Sequence, residues 1–279
     1  MRLWLFIFLV VGVFQKEVSA QLVYDWEQRA ENWEYRVKNI EFFIDRFNNQ
    51  PEGSGSAHAA NPKDTAACLA FMKERDSKMF SLFDRGKLDK DDAALKQKIN
   101  TFFREVNSPY QPKFIRFEDM YWYAELTMIA HSGGQPKKLS CILQVVKLGQ
   151  GALGWVIKSV HSSDLQIDER FRGNELFFPP SVSGTDFMNV RLALNDATWV
   201  NERIGKLVGK SRWLEMISEG RLKIDSVFKI KYHFLQLDGW IMTVSYVNRE
   251  SKNSGWLLDV PQQANNQQKV EYLKVLSAD

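Results

Sequence analysis

The stretch RLKIDSVFKIKYHFLQ, residues 221–236, constrains the fold more than any other part of the chain. On an extended backbone Leu222, Ile224, Phe228, Ile230, Tyr232 and Phe234 fall on one face, together with Ser226. Arg221, Lys223, Asp225, Lys229, Lys231 and His233 fall on the other. Only a strand alternates with a period of two, and an apolar face backed by a charged one marks an antiparallel sheet packed on one side and wet on the other. At ~3.4 Å per residue such a strand runs on the order of 50 Å, so it is expected to coil or to carry a bulge.

The chain around this strand reads as a meander. Asp238-Gly239 is a hairpin signal, WIMTVSYV returns, NRESKNSG turns again and WLLDV closes, before a final helix over roughly 262–276. An earlier stretch has the same form. In FEDMYWYAELTMIAH (117–131) Met120, Trp122, Ala124, Leu126, Met128 and Ala130 alternate with Tyr121, Tyr123, Glu125, Thr127 and His131. Ser132-Gly133-Gly134 turns, Leu139, Cys141, Leu143 and Val145 continue the apolar face, LGQGALG turns, and WVIKSV is a third strand. Gly-Trp opens the closing strand of both meanders, at Trp155 and Trp256 (256 − 155 = 101). A glycine there is expected to end a turn at unusual dihedrals, with the large aromatic packing on its strand neighbours.

Helical periodicity precedes each meander. Trp26, Ala30, Trp33, Val37, Ile40, Ile44 and Phe47 recur at spacings of three and four, which predicts one long helix. QPEGSGSAHAANP (50–62) is a polar connector. A second helix is predicted over 63–83 and a third from 89, with Asp92 placed to cap it. The acidic run 84–92 lacks the ligand spacing of a calcium loop. Residues 171–186 form an irregular connector, followed by helical segments at FMNVRLAL, TWVNERIGKLV and SRWLEMI that Gly220 ends. The expected architecture is α+β, with helices packed on curved antiparallel meander sheets in two similarly built halves, residues 21–165 and 166–279.

The first twenty residues read as a signal peptide. Arg2 precedes the apolar run Leu3 to Phe14, which is short for a bilayer span, and Val18-Ser19-Ala20 supplies small residues before a cut at Gln21. The expected location is periplasmic or extracellular, with no transmembrane segment after cleavage. The formal net charge of +3 is too small for this length to suggest a nucleic-acid partner. The two cysteines, Cys68 and Cys141, show no CxxC spacing; they can pair in an oxidising compartment or serve as small buried hydrophobes.

Helices followed by a long antiparallel sheet, and above all YWYAELTMIAHSGGQPKKLSCILQVVKLGQGALGWVIKSV, resemble the nuclear transport factor 2-like superfamily of cystatin-like cone domains. The resemblance covers residues 88–161 and, to a lesser extent, 185–261. It implies helices that cover a strongly curved sheet. That superfamily holds both enzymes and non-catalytic binding domains, so the resemblance transfers no activity. The chain as a whole also resembles exported bacterial proteins of unassigned function.

Little in the sequence points to catalysis. His58, His131, His161 and His233 have no partner at ligand spacing, which gives no metal site. There is no GxSxG, phosphate loop or GxGxxG, and no cofactor is expected. His161-Ser162-Ser163-Asp164 has triad residue types, but adjacency in sequence is not triad geometry. The favoured expectation is a non-catalytic binding or assembly module. Its default site is an apolar pocket under the sheet, lined by Phe228, Tyr232, Trp240 and Trp256, unless these residues are simply core. The ligand would be a small apolar molecule, a glycan or an envelope protein. Two alternatives stand beside it: a small-molecule enzyme using Glu125, with His131 as its acid–base partner if their face lines a cavity, and a homodimer using an open sheet face. The cationic row Arg221, Lys223, Lys229 and Lys231 would suit an anionic glycan or lipid headgroup, or is the wet side of the strand.

Overall fold

A computed structural model describes residues 36–37, 39–51, 65–88, 92–108, 111–147, 153–173, 176–178, 187, 189–207, 209–250 and 253–277. The predicted leader, the first three residues of the N-terminal helical stripe (Trp26, Ala30 and Trp33), most of the connector, with His58, and the first five residues of LGQGALG lie outside these residues.

The long strand is β7, Lys223–Phe234, and it stands at the middle of the sheet. Its neighbour is β2, Trp122–Ser132, the first strand of the other meander, and the two run antiparallel from Trp122↔Phe234 to His131↔Lys223. β3 (Gln135–Lys147) and β4 (Leu153–Ser162) extend the sheet on one side. β8 (Trp240–Val247) and β9 (Ser254–Leu258) extend it on the other. The two meanders thus join through their first strands into one sheet, ordered β9-β8-β7-β2-β3-β4.

Short strands finish the edges. β1 (Arg36–Val37) runs parallel to β9, and β5 (Ile167–Arg170) and β6 (Phe177–Phe178) both pair with β4. β10 (Gln262–Gln263) pairs with the start of β8.

The expected bulge is present, and there are two. The β2–β7 register skips Phe228 between Lys229 and Val227, and skips Asp225 between Ser226 and Ile224. Each extra residue shifts the alternation by one, so the second restores what the first displaced. Between them the faces are inverted. Ser226 opposes Ile129 instead of lying with Ile224, and Phe228, expected on the packed face, is 73 % exposed. Asn195 braces this irregular stretch, its side chain accepting from Ile224 N at 2.9 Å and donating to Ile224 O at 2.6 Å.

Helices cover one face, except the last, which lies on the other. α1 spans Ile40–Asn48, α2 Thr65–Ser81 and α3 Ala93–Val106. The Asp92 side chain caps α3 by accepting from Leu95 N at 2.9 Å, as the sequence predicts. The long N-terminal helix is corrected. Val37 belongs to β1, and Asn39 is extended and caps α1 by accepting from Phe42 N, so the helical part of the stripe begins at Ile40. Ladder bonds to β9 and a strong N-cap together outweigh an apolar periodicity that would have continued through Val37. Three shorter helices follow β6: α4 (Val190–Leu194), α5 (Ala197–Ile204) and α6 (Arg212–Ser218). The final helix, α7, spans Asn266–Leu276 and starts later than predicted, because Asn265 and Gln268 form a reciprocal capping box.

One continuous core joins α1 to α6 and the inner face of the sheet. Phe43 of α1 stacks near Phe234, and Phe102 of α3 meets Trp240 edge-on at 5.1 Å. Arg75 of α2 is fully buried, yet its guanidinium has partners on three sides. It donates to the carbonyls of Phe47, Val106 and Lys113 and lies over the Phe114 ring. Burial pulls its pKa down to about 9, which leaves it charged at neutral pH. That single charge ties the C-terminal ends of α1 and α3 to the chain entering β2. Cys68 and Cys141 are not joined in a disulfide, and burial pushes the Cys141 thiol up. Among the described residues no helix is long and apolar enough to cross a membrane.

Candidate functional site

Three of the four predicted ligand-binding residues are core. Tyr232 sits at the centre of an aromatic cluster, 5.6 Å from Trp122, 6.2 Å from Trp155 and 5.0 Å from Trp256 between ring centroids. Trp240 packs against Phe102 and donates its indole N–H to Glu105 Oε2 at 2.9 Å. The structure brings Tyr232 and Trp256 together, places Trp240 separately against α3, and sends Phe228 to the surface. At the buried positions the ring neighbours are other aromatic side chains of the core.

The two Gly-Trp pairs therefore converge on one residue. Trp155 is the third residue of β4 and Trp256 the third of β9, and the two tryptophans reach Tyr232 from opposite sides of the sheet centre. Their glycines serve close approach. A Cβ on Gly154 would stand 2.1 Å from the Phe177 ring of β6, and one on Gly255 would stand 2.2 Å from the Val37 carbonyl oxygen of β1. Gly255 also has φ +97°, whereas Gly154 needs no left-handed backbone. The local explanation from turn geometry thus holds at one glycine, and edge-strand packing is common to both.

The polar face of the sheet holds the group of titratable side chains with the most chemistry. Glu125 projects from β2 and His233 from β7, on the diagonal of the Glu125↔Lys231 and Tyr123↔His233 register. His233 Nε2 lies 3.2 Å from Glu125 Oε2, and His233 Nδ1 lies 2.6 Å from the Tyr272 hydroxyl of α7. A carboxylate only accepts, so Nε2 carries the proton and Nδ1 accepts from Tyr272 O–H. Lys231 Nζ is 3.9 Å from the same carboxylate oxygen.

The environments differ along this chain of contacts. His233 is only 2 % exposed, and burial holds its pKa below the ordinary imidazole value despite the carboxylate beside it. The hydrogen bond from His233 holds the Glu125 carboxyl below its ordinary value. Burial raises the Tyr272 phenol to about 12. At neutral pH the group is therefore a carboxylate, a neutral imidazole and a phenol.

Sequence reasoning placed Glu125 and His233 on the polar face but offered His131 as the acid–base partner. His131 is exposed at the far end of β2, opposite Lys223, and does not join Glu125. The signal for the real partner was cross-strand: it needed the β2–β7 pairing and the placement of α7, neither of which is a local pattern. His161 pairs across β4–β5 with Asp168 at 3.9 Å. Among the described residues no cluster of three or more His, Cys, Asp or Glu side chains could hold a metal ion.

The chain matches no family model, and no curated protein sequence or solved structure matches it at a significant level.

Proposed function

We propose that the protein is an exported, non-catalytic binding or assembly module of the cell envelope, on a cone-like sheet related to the nuclear transport factor 2-like superfamily. The observation that carries this reading is Phe228. A bulge turns a large aromatic out of the packed face and into solvent, in the same stretch of β7 as exposed Lys223 and Lys229. An aromatic ring exposed next to ammonium groups suits an anionic glycan, with the ring stacking on a sugar and the lysines meeting its acid groups. The leader-like first twenty residues support export.

Binding is tested by calorimetry of the protein lacking residues 1–20 against an acidic and a neutral polysaccharide. The reading expects salt-sensitive binding of the acidic one, weakened about tenfold or more in Phe228→Ser, a loss of about 1.4 kcal/mol. Equal binding by wild type and Phe228→Ser removes the reading.

The two meanders open 101 residues apart at both their first and their third strands, Trp122 and Lys223, then Leu153 and Ser254. Together with the paired Gly-Trp, this supports descent of the two halves from one duplicated unit.

The second reading is a small-molecule enzyme, favoured by the hydrogen-bonded Glu125–His233 pair. The α7 cover over His233 argues against it. Turnover in a substrate panel, lost in Glu125→Gln at an unchanged melting temperature, would establish the enzyme.

A further inference from the structure

The final helix is attached differently from the other helices among the described residues. α7 packs on the polar side of the sheet, away from the main core, and none of its residues is buried. Its apolar contacts are three half-buried side chains, Tyr272, Leu273 and Leu276. They lie on a separate small cluster of Tyr123, Ile142, Leu235, Ile241 and Ala264. So few contacts give a segment only a small share of the global stability, and such segments open on their own. Polar contacts complete the attachment. Lys269 Nζ donates to the carbonyls of Leu235 and Leu237, and Tyr272 donates to His233.

We propose that α7 is an acid-released cover: it closes over the Glu125–His233 pair at neutral pH and lifts when His233 takes up a proton, baring Tyr123, Ile142, Leu235 and Ile241. The geometry gives the reason. With α7 seated, a proton on Nδ1 meets a hydroxyl that is already donating to it, on a ring that is almost wholly shielded from water. Tyr272 must then turn its hydrogen away, and a charge must be held in a low-dielectric site. With α7 lifted, water solvates the imidazolium.

The groups around His233 pull in opposite directions, apart from its cross-strand partner Tyr123 of β2, a phenol whose pKa burial raises and which carries no charge. Glu125 of β2 favours the imidazolium, as does Asp259 in the segment after β9, while Lys231 of β7 disfavours it. Tyr272 of α7 stays neutral to about pH 12. Burial outweighs the two carboxylates, so the seated state binds the proton less readily than the lifted one. Seating is therefore fully favoured above the ordinary imidazole value, and is lost as pH falls through the lower value of the seated state.

Hydrogen exchange of the 266–276 amides on the intact protein, corrected for intrinsic rates, tests this at pH 7.5 and 5.0. Protection of α7 is expected to fall roughly threefold or more at pH 5.0 while β2 and β7 hold theirs. In His233→Gln, which keeps a hydrogen-bonding side chain but cannot titrate, the pH dependence is expected to vanish. Equal protection of α7 at both pH values overturns the proposal. So does a parallel loss in β2 and β7, which is global acid unfolding, or a pH dependence that persists in His233→Gln. Should that variant not fold, Tyr272→Phe decides. It is expected to loosen α7 at pH 7.5, and protection equal to wild type at both pH values overturns the proposal.

Discussion

Substitution of Gly255 by alanine is the most direct test of how the sheet edge is built. The new Cβ would stand 2.2 Å from the Val37 carbonyl oxygen and 2.7 Å from its amide nitrogen. Both belong to the backbone of β1, which is paired to β9 at this residue, Val37↔Gly255, so neither can swing aside. Two costs combine. An alanine held at φ +97° costs about 1–2 kcal/mol. Relieving the clash pushes β1 off β9 and exposes Val37, now almost wholly buried, for about another 1.5–3 kcal/mol. The expected loss is about 2.5–5 kcal/mol. Gly154→Ala has the same chemistry in the other meander with a softer neighbour: the tip of the half-buried Phe177 ring, and Phe178 O at 3.0 Å. The ring can turn away and no left-handed backbone is needed, so about 1–3 kcal/mol is expected. Gly134→Ala separates the terms, since Gly134 has φ +76° and nothing within 4 Å of a Cβ. Urea titrations followed by tryptophan fluorescence give all three values from the shift in midpoint. The reasoning fails if Gly255→Ala lies within about 0.5 kcal/mol of wild type. It also fails if Gly154→Ala costs more than Gly255→Ala, or if Gly134→Ala costs as much.

Asp92→Ala removes the α3 cap to Leu95 N and is expected to cost about 1 kcal/mol in the same titration, with no change in m-value. Arg75→Met removes the donor shared by the carbonyls of Phe47, Val106 and Lys113, of which Val106 O keeps Lys113 N, for an expected loss of about 3 kcal/mol. Arg75→Lys recovers only part of it, because one ammonium cannot span the arc that the guanidinium covers. Asn195→Ala frees both backbone groups of Ile224 beside the bulge and is expected to cost about 1–3 kcal/mol. Faster exchange confined to β7 around that residue would be its local signature.

What the sequence made legible was whatever a local pattern specifies. Alternation in 117–131 and 221–236 located the strands, Gly-Gly and Asp-Gly located the hairpins, and Asp92 located a helix start, because each depends on a few consecutive residues. The failures have a common cause in non-local contacts. Val37 has helical spacing with Ile40 and Ile44, but Gly255, more than two hundred residues away, offers a strand edge with no side chain in the way, and that pairing wins. Phe228 has the right parity for the core, but the mismatch between two long twisted strands is absorbed where it stands. Glu125 and His233 were each readable as polar-face residues. Only the joining of the two meanders through β2 and β7 makes them neighbours, and only α7 turns an exposed histidine into a buried one. The paired Gly-Trp is a local pattern, but its role rests on distant partners. Its glycines are shaped by β1 and β6, two-residue strands too short to leave a period, and its tryptophans meet at a tyrosine that neither meander could bury alone.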